Sequence, residues 1–178
     1  MQPGTRYCRG RQQGVTILEV MIAVAILTVA VSGLLSAFTV VVALNKSQGE
    51  IATRATEYGQ DKMEQLLALN FNDGTTDTTK YPPASTGGTG LGGAMAASTT
   101  VGGTTVSSPV SGYVDYLDAS GNLLTSSTGA FYTRLWSIST DSTAKMKTIT
   151  VVTSATTTAG AGGVVPSTTL VCMKAALQ

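Results

Sequence analysis

The sequence contains no histidine among its 178 residues. Histidine is the common acid or base near neutral pH and a frequent zinc ligand, so its absence excludes a Ser-His-Asp triad and a histidine-ligated metal site. Charged residues are also scarce, at 12% of the chain, about half the usual share. With a formal net charge of +1, the chain lacks the basic surface of nucleic-acid-binding proteins, and we predict no nucleic-acid partner.

Cysteine is nearly absent, with only Cys8 and Cys172 in the chain. Cys172 lies in the apolar run Thr169 to Met173, which favours a buried structural thiol over a reactive one. Loss of an N-terminal segment that includes Cys8 would leave Cys172 without an intramolecular partner. We predict no cofactor and no metal site, and we expect the chain to have no catalytic activity of its own.

A long run without charge stands near the N-terminus, from Val20 to Asn45. It exceeds the roughly 20 apolar residues that a helix needs to cross a bilayer at about 1.5 Å per residue. Arg6, Arg9 and Arg11 precede it without an acid and favour a cytoplasmic N-terminus. The sequence therefore predicts a single membrane-crossing segment at residues 20–44, with the rest of the chain on the opposite side.

The acid Glu19 stands directly before this run. A secretory signal would have a shorter apolar core of about 7–15 residues. An uncut single-pass anchor has the same hydropathy, so hydropathy alone does not exclude it. A carboxylate carried to the membrane centre costs about 2.5–3.5 kcal/mol. Cleavage after Gly14 would create an amine at Val15, one helical turn from Glu19. Two unit charges about 4 Å apart attract by roughly 4 kcal/mol at an effective dielectric of 20, which offsets that cost.

The run Gly14-Val15-Thr16-Ile17-Leu18-Glu19-Val20 resembles the cleavage motif of type IV prepilins, in which glutamate is fifth after the cut. The basic leader and the long apolar helix are similar to that family as well. The resemblance implies that a prepilin peptidase cuts between Gly14 and Val15 and that Val15 is then N-methylated. It also implies that Glu19 aids recruitment into a filament and neutralises a neighbouring N-terminus.

The resemblance further implies a structural subunit of a type IV pilus-like filament. Valine at position 15, where major pilins usually have phenylalanine, and the order Ile17-Leu18 favour a minor pilin, then a type II secretion pseudopilin, then a major pilin. The implied partners are the prepilin peptidase, other pilin or pseudopilin subunits, the inner-membrane assembly platform and membrane lipid. The implied location is the inner membrane, with a cytoplasmic leader, followed by a periplasmic or extracellular filament. The uncut anchor with a binding head stays as the alternative.

Helical spacing of apolar residues continues beyond the membrane run, at Ile51, Ala55, Met63, Leu66 and Leu67. It predicts a long helix over residues 15–70 that stops in the run Asn70 to Gly74. Two helices with a kink near Ser32-Gly33 are the alternative, since these are weak helix formers. Glu57–Asp61 and Lys62–Glu64 are expected on the exposed faces of this helix.

Residues 71–111 are crowded with serine, threonine and glycine and lack apolar periodicity, which predicts a long surface loop with room for short strands. Alternating patterns separated by turn residues then predict strands at Gly112–Leu117, Leu123–Thr125, Phe131–Ile138, Lys147–Thr153 and Ser167–Met173. In this interpretation Asp115, Asp118 and Asp141 are ordinary strand-edge or turn acids.

These patterns together predict an α+β fold of the pilin-like kind. A long N-terminal helix, membrane-spanning in its first half, is followed by a C-terminal antiparallel β-sheet packed on its second half. The predicted segments are a leader at 1–14, the helix at 15–70, the loop region at 71–111 and the sheet head at 112–178.

Overall fold

The computed structural model describes residues 14–156 and 165–176. The predicted leader up to residue 13, with its three arginines and Cys8, and the glycine-rich link at Gly160 to Gly163 lie outside the described residues. The elements are α1 (Ile17–Ala68), β1 (Thr100–Gly102), β2 (Val114–Leu117), β3 (Leu123–Leu124), β4 (Tyr132–Thr140), β5 (Met146–Ala155) and β6 (Ser167–Ala175). The chain divides into two compact units, residues 1–43 and 44–178.

In the first unit, the part of α1 up to residue 43 is apolar and exposed. Its large apolar side chains between residues 17 and 42 are 45% to 82% exposed. This helix is long and apolar enough to cross a membrane. α1 is one continuous helix through Ser32-Gly33, so the alternative of two separate helices is wrong. The Ser32 hydroxyl donates to the Val29 carbonyl at 2.9 Å, so its polar group is satisfied inside the helix.

In the second unit, one face of α1 is buried under the sheet. The buried positions follow the predicted helical spacing and comprise Ala55, Gly59, Lys62, Met63 and Leu66. Helix and sheet are in close contact at Gly59, since a Cβ there would lie 3.1 Å from Thr153 Oγ1 and 3.3 Å from Leu170 Cδ1. Lysine at position 62 is part of this buried face, so the prediction that it lies on an exposed face is wrong.

The six strands form one antiparallel sheet in the order β3-β2-β4-β5-β6, with β1 also paired to β4. β4 is central: its first half pairs with β2, its second half with β1, and its whole length with β5. All five predicted strands are present with bounds shifted by a few residues, and β1 lies inside the segment predicted as a loop region. The predicted α+β class, with a long N-terminal helix and a C-terminal antiparallel sheet, is confirmed.

The core of the second unit lies between α1 and the sheet. Its larger cluster comprises Met63, Leu66, Leu91, Tyr113, Trp136, Ile138, Ile149 and Val151. A smaller cluster of Ala55, Leu117, Tyr132 and Ala155 adjoins it. The segment predicted as a surface loop contributes to this core, because Leu91 is fully buried. Burial of these side chains from water is the main free energy that holds the sheet against the helix.

Two lysines of the sheet donate hydrogen bonds to carbonyl groups at the C-terminal end of α1. The helix has no basic residue in its own last turn. Lys174 Nζ donates to the carbonyls of Leu67, at 2.6 Å, and Leu69. Lys147 Nζ donates to the Phe71 carbonyl at 2.6 Å and to two carbonyls of the following segment. Cations at a helix C-terminus satisfy its free carbonyls and interact favourably with the helix dipole.

Candidate functional site

The predicted cleavage site lies in an exposed, non-helical segment. Gly14, Val15 and Thr16 precede the first helical residue, and all three are exposed. Val15 is 69% exposed. A peptidase must bind its substrate backbone in an accessible, extended form, and the backbone at Gly14-Val15 has that accessibility.

Thr16 acts as the N-cap of α1. The Glu19 backbone N–H donates to Thr16 Oγ1 at 3.3 Å, and the Val20 N–H donates to the Thr16 carbonyl at 3.3 Å. A threonine N-cap with glutamate three residues later is the capping-box pattern, which satisfies helix N-terminal donors and places an acid at the positive end of the helix dipole. Thr16 therefore fixes where the helix begins, and it was not singled out from the sequence although the spacing T-x-x-E was a readable signal.

Val15 and Glu19 lie on the same side of the N-terminal segment. Both line one shallow groove on the surface of the helix, together with Ala23 and Leu27. In the uncut chain Val15 stands before the helix, so the predicted helical spacing between its amine and Glu19 refers to the processed chain. Glu19 is the only acid in the first turn, and the charge-free run begins directly after it.

Comparison with known families gives one match. Residues 9–35 match the model of the prokaryotic N-terminal methylation motif. That range contains Gly14, Val15 and Glu19 and the first half of the charge-free run. No curated protein and no solved structure matches the chain.

The match and the fold together indicate the class of the chain. A prepilin-type N-terminus leads directly into a long apolar helix, and an antiparallel sheet head follows. Together they support a type IV pilin-like prepilin, of the group that includes pilins and pseudopilins. The motif implies processing by a prepilin peptidase and assembly with other pilins in general, and the apolar helix is consistent with membrane anchoring.

A largely buried cluster of charged side chains lies between α1 and the sheet. It comprises Lys62, Asp115, Arg134 and Asp61. Asp115 Oδ2 accepts from Lys62 Nζ at 2.9 Å and from Arg134 Nη2 at 2.7 Å. Arg134 Nη1 also donates to Asp61 Oδ2 at 3.0 Å. The side chains of Lys62, Asp115 and Arg134 are at most 2% exposed, whereas Asp61 is 59% exposed. One carboxylate therefore joins helix α1 to strands β2 and β4.

The surroundings of Lys62 are apolar on one side and polar on the other. Its Nζ lies 3.9 Å from the centroid of the Trp136 ring, and it donates to the Thr78 carbonyl at 2.5 Å. The pKa of Lys62 is lowered from 10.5 to about 8, mainly by burial and also by repulsion from Arg134, in spite of the opposing attraction of Asp115. In the part of the chain that the structure describes, Asp115 Oδ1 and Arg134 Nε have no hydrogen-bond partner.

The prediction that Asp115 is an ordinary strand-edge acid is wrong. Asp115 lies two residues from both Tyr113 and Leu117, and both of those residues are buried. Since residues two apart in a strand point to the same face, the side chain of Asp115 points to the helix with them. For Asp118 and Asp141 the turn prediction is confirmed: Asp118 Oδ1 accepts from the backbone of Ser120 and Asn122, and Asp141 Oδ1 accepts from the backbone of Lys145 and Met146.

Cys172 is half-buried, and it packs against the larger core cluster. The prediction of a buried structural thiol is therefore only partly confirmed. Cys172 is free in the structure, and Cys8 lies outside the described residues.

Proposed function

We propose that this chain is a minor subunit of a type IV pilus-like filament. Prepilin peptidase cuts between Gly14 and Val15, the new N-terminus of Val15 is methylated, and the subunit is assembled from the inner membrane. The observation that carries the proposal is the methylation motif at residues 9–35, directly continued by a charge-free helix whose large apolar side chains are exposed up to Val42.

The exposed first half of α1 supports assembly through helix packing. Apolar side chains at this density need lipid or other helices around them. Small residues occur along the same stretch, at Ala25, Ala30, Ser32, Gly33, Ser36 and Ala37, and such residues allow helices to approach closely. When a subunit leaves the bilayer, its apolar helix is buried against the helices of other subunits. This burial supplies the driving force for filament assembly.

Glu19 supplies the register of that packing. An acid at the start of an apolar helix needs a cationic partner once water is excluded. In a bundle of processed subunits the free amine of Val15 on a neighbouring helix is that partner. The valine at position 15 supports a minor pilin first and a type II secretion pseudopilin second.

The first experiment measures the intact mass of the chain purified from membranes, from hosts with and without prepilin peptidase. We expect the peptidase to remove residues 1–14 and one methyl group to be added at Val15. Gly14→Val should block the cut, whereas Gly33→Ala, a matched glycine change at a position with open space around it, should not. An intact N-terminus in the wild-type chain would support an uncut membrane anchor instead.

The second experiment follows Glu19→Ala into filaments sheared from the cell surface. The variant should still be cut and methylated, but its share in filaments should fall at least about tenfold, since the lost pairing is worth several kcal/mol at low dielectric. Glu57→Ala, an exposed acid on the same helix, is the matched control and should assemble normally. If Glu19→Ala assembles as the control does, the role of Glu19 is disproved. If protein secretion requires this chain and no surface filament contains it, the pseudopilin is favoured.

A further inference from the structure

Strand β6 forms one edge of the sheet. It pairs with β5 along its whole length, from Ser167 to Ala175, and with no other described strand. Two backbone bonds flank this ladder: Ala155 N–H donates to the Pro166 carbonyl at 3.0 Å, and Ala176 N–H donates to the Lys145 carbonyl at 2.9 Å. In both bonds the partner on the β6 side is an even-numbered residue, Pro166 or Ala176.

This parity determines which backbone groups of β6 are free. In an antiparallel pair, hydrogen-bonded residues alternate with residues whose N–H and C=O point away from the partner strand. The even residues of β6 therefore bond to β5. The odd residues direct their N–H and C=O groups to the open edge, and within the described residues no backbone group pairs with them: Ser167, Thr169, Val171, Met173 and Ala175.

The same odd residues carry the exposed side chains of β6, and none of them is charged. Val171 is 61% exposed and Met173 is 64% exposed. The one charged residue of the strand, Lys174, turns to the other face and donates to carbonyls at the end of α1. No side chain along this edge therefore opposes the approach of another strand.

Proteins usually protect an open edge with charge, proline, a bulge or a very short strand. The opposite edge of this sheet follows that rule, because β3 comprises only Leu123 and Leu124. β6 has nine residues in unbroken register with β5, and it has none of these protections. Its backbone donors and acceptors select an extended strand as the occupant, and its apolar side chains select an uncharged one.

A second copy of β6 meets both requirements. The strand is self-complementary when two copies run antiparallel about Val171, since Val171 then faces Val171 of the second copy and Thr169 faces Met173. The N–H and C=O of Val171 both point outward, so the two copies exchange both bonds there, as in a hydrogen-bonded antiparallel pair. We propose that the β6 edge is a homotypic docking surface, through which two heads join their sheets into one.

The pairing goes beyond the filament function and does not depend on cleavage at Gly14 or on Glu19. It makes a specific geometric statement. The Cα atoms of Val171 in the two copies lie about 5.5 Å apart. The Cα atoms of Ser167 in the two copies lie eight residues of strand apart, about 27 Å. Ser167 of one copy instead faces Ala175 of the other.

Site-specific cross-linking of the full chain in membranes tests this register. The background carries Cys8→Ser and Cys172→Ser, and a short bifunctional thiol reagent is used. Val171→Cys should give covalent dimers, whereas Ser167→Cys and Ala175→Cys should each give almost none alone. A mixture of Ser167→Cys and Ala175→Cys chains should give dimers again. Absence of dimers with Val171→Cys, or equal dimers at all three positions, would overturn the proposal.

A backbone test separates edge pairing from side-chain packing. Thr169→Pro removes one outward N–H and leaves the β5 ladder intact, because proline is tolerated on an edge strand at such a position. It should reduce cross-linking through Val171→Cys by at least about tenfold, because each of the two copies loses one hydrogen bond. Thr169→Val, which keeps the N–H, is the matched control and should cross-link normally. Unchanged emission of the single tryptophan, Trp136, confirms a folded head in each variant.

Filament assays of the same variants distinguish this proposal from the proposed function. Loss of cross-linking in Thr169→Pro with normal cleavage at Gly14 identifies a defect of the edge alone. Normal cross-linking of a chain that is never cut or assembled would leave the docking surface in place and remove the filament function. Cross-linking in Thr169→Pro equal to that in Thr169→Val would disprove strand pairing.

Discussion

Asp115 joins the helix to the sheet through two buried ion pairs. Among the residues that the structure describes, it is the only buried acid in contact with both Lys62 and Arg134. Two cations would remain in a nearly dry site if its charge were removed. Burying an ion pair adds little net stability, but breaking one leaves an uncompensated charge and is costly.

Asp115→Asn should therefore lower the free energy of unfolding by about 3–5 kcal/mol. Asp61→Asn, which removes the 59% exposed partner of the same arginine, should cost less than about 1 kcal/mol. Urea unfolding of the full chain in detergent, followed by the fluorescence of buried Trp136, measures both. Equal losses in the two variants would show that burial of Asp115 has no special weight.

Lys62 gives the stability of the head a pH dependence of definite sign. Its pKa is about 8 in the fold and 10.5 in the unfolded chain, so between pH 8 and pH 10 the unfolded state binds more protons than the folded state. Stability from this group then rises with pH, by up to about 1.4 kcal/mol per pH unit. Above pH 10 the trend reverses, because burial raises the pKa of Tyr132 and its neutral form is the folded one.

Urea midpoints at pH 7, 8, 9 and 10 test this dependence. The wild-type midpoint should rise between pH 8 and pH 10. In Lys62→Met, which keeps the apolar stem beside Trp136 and leaves Asp115 paired with Arg134, the curve should be nearly flat. A rise of the same size in Lys62→Met would assign the effect to other groups.

At the scale of elements, the C-terminus of α1 is stabilised by residues more than 70 positions away in the sequence. Lys174→Met removes the donor to the Leu67 and Leu69 carbonyls and should cost about 1.5–3 kcal/mol, the range for hydrogen bonds to a charged group. Hydrogen exchange should increase in the last turn of the helix. Lys145→Met, an exposed lysine beside the same sheet, is the control and should change neither quantity.

How far the sequence predicts these elements depends on whether the signal is local. The strands after residue 112 follow from alternation, and the helix follows from apolar spacing, because both signals lie within the element itself. The ion cluster depends on contacts between distant segments. Even so, Lys62 lies three residues after Gly59 and four before Leu66, on the buried face of the helix. Arg134 lies two residues before the buried Trp136, on the same face of strand β4. Charges of opposite sign at core-facing parity indicate mutual partners.

The loop region shows where local signals end. Its composition predicts an exposed loop, but Leu91 lies in the core, and Lys147 donates to the Leu91 and Gly93 carbonyls at 2.9 and 2.7 Å. A single leucine among glycines carries no periodicity, and the lysine that holds the segment is on β5. The N-terminal site was the easier prediction, since the residues from Gly14 to Glu19 are contiguous and the motif match covers all of them.

At the scale of the whole molecule, the two units differ in what their folding requires. Every described residue from 14 to 43 is exposed, and both core clusters are built from residues between Ile51 and Cys172. Removing the first unit therefore deletes no buried contact. A chain that begins at Leu44 should fold in water without detergent, because it loses the apolar surface and keeps the core.

Circular dichroism and urea unfolding of this shortened chain test the separation. We expect strand and helix signals, a cooperative transition, and a blue-shifted Trp136 emission equal to that of the full chain in detergent. Asp115→Asn should destabilise the shortened chain by the same amount as the full one, because the whole ion cluster lies in the second unit. A shortened chain that stays unfolded would mean that the head depends on residues 1–43 through contacts other than those of its core. A smaller effect of Asp115→Asn there would mean that the ion cluster is remodelled when the N-terminal helix is absent.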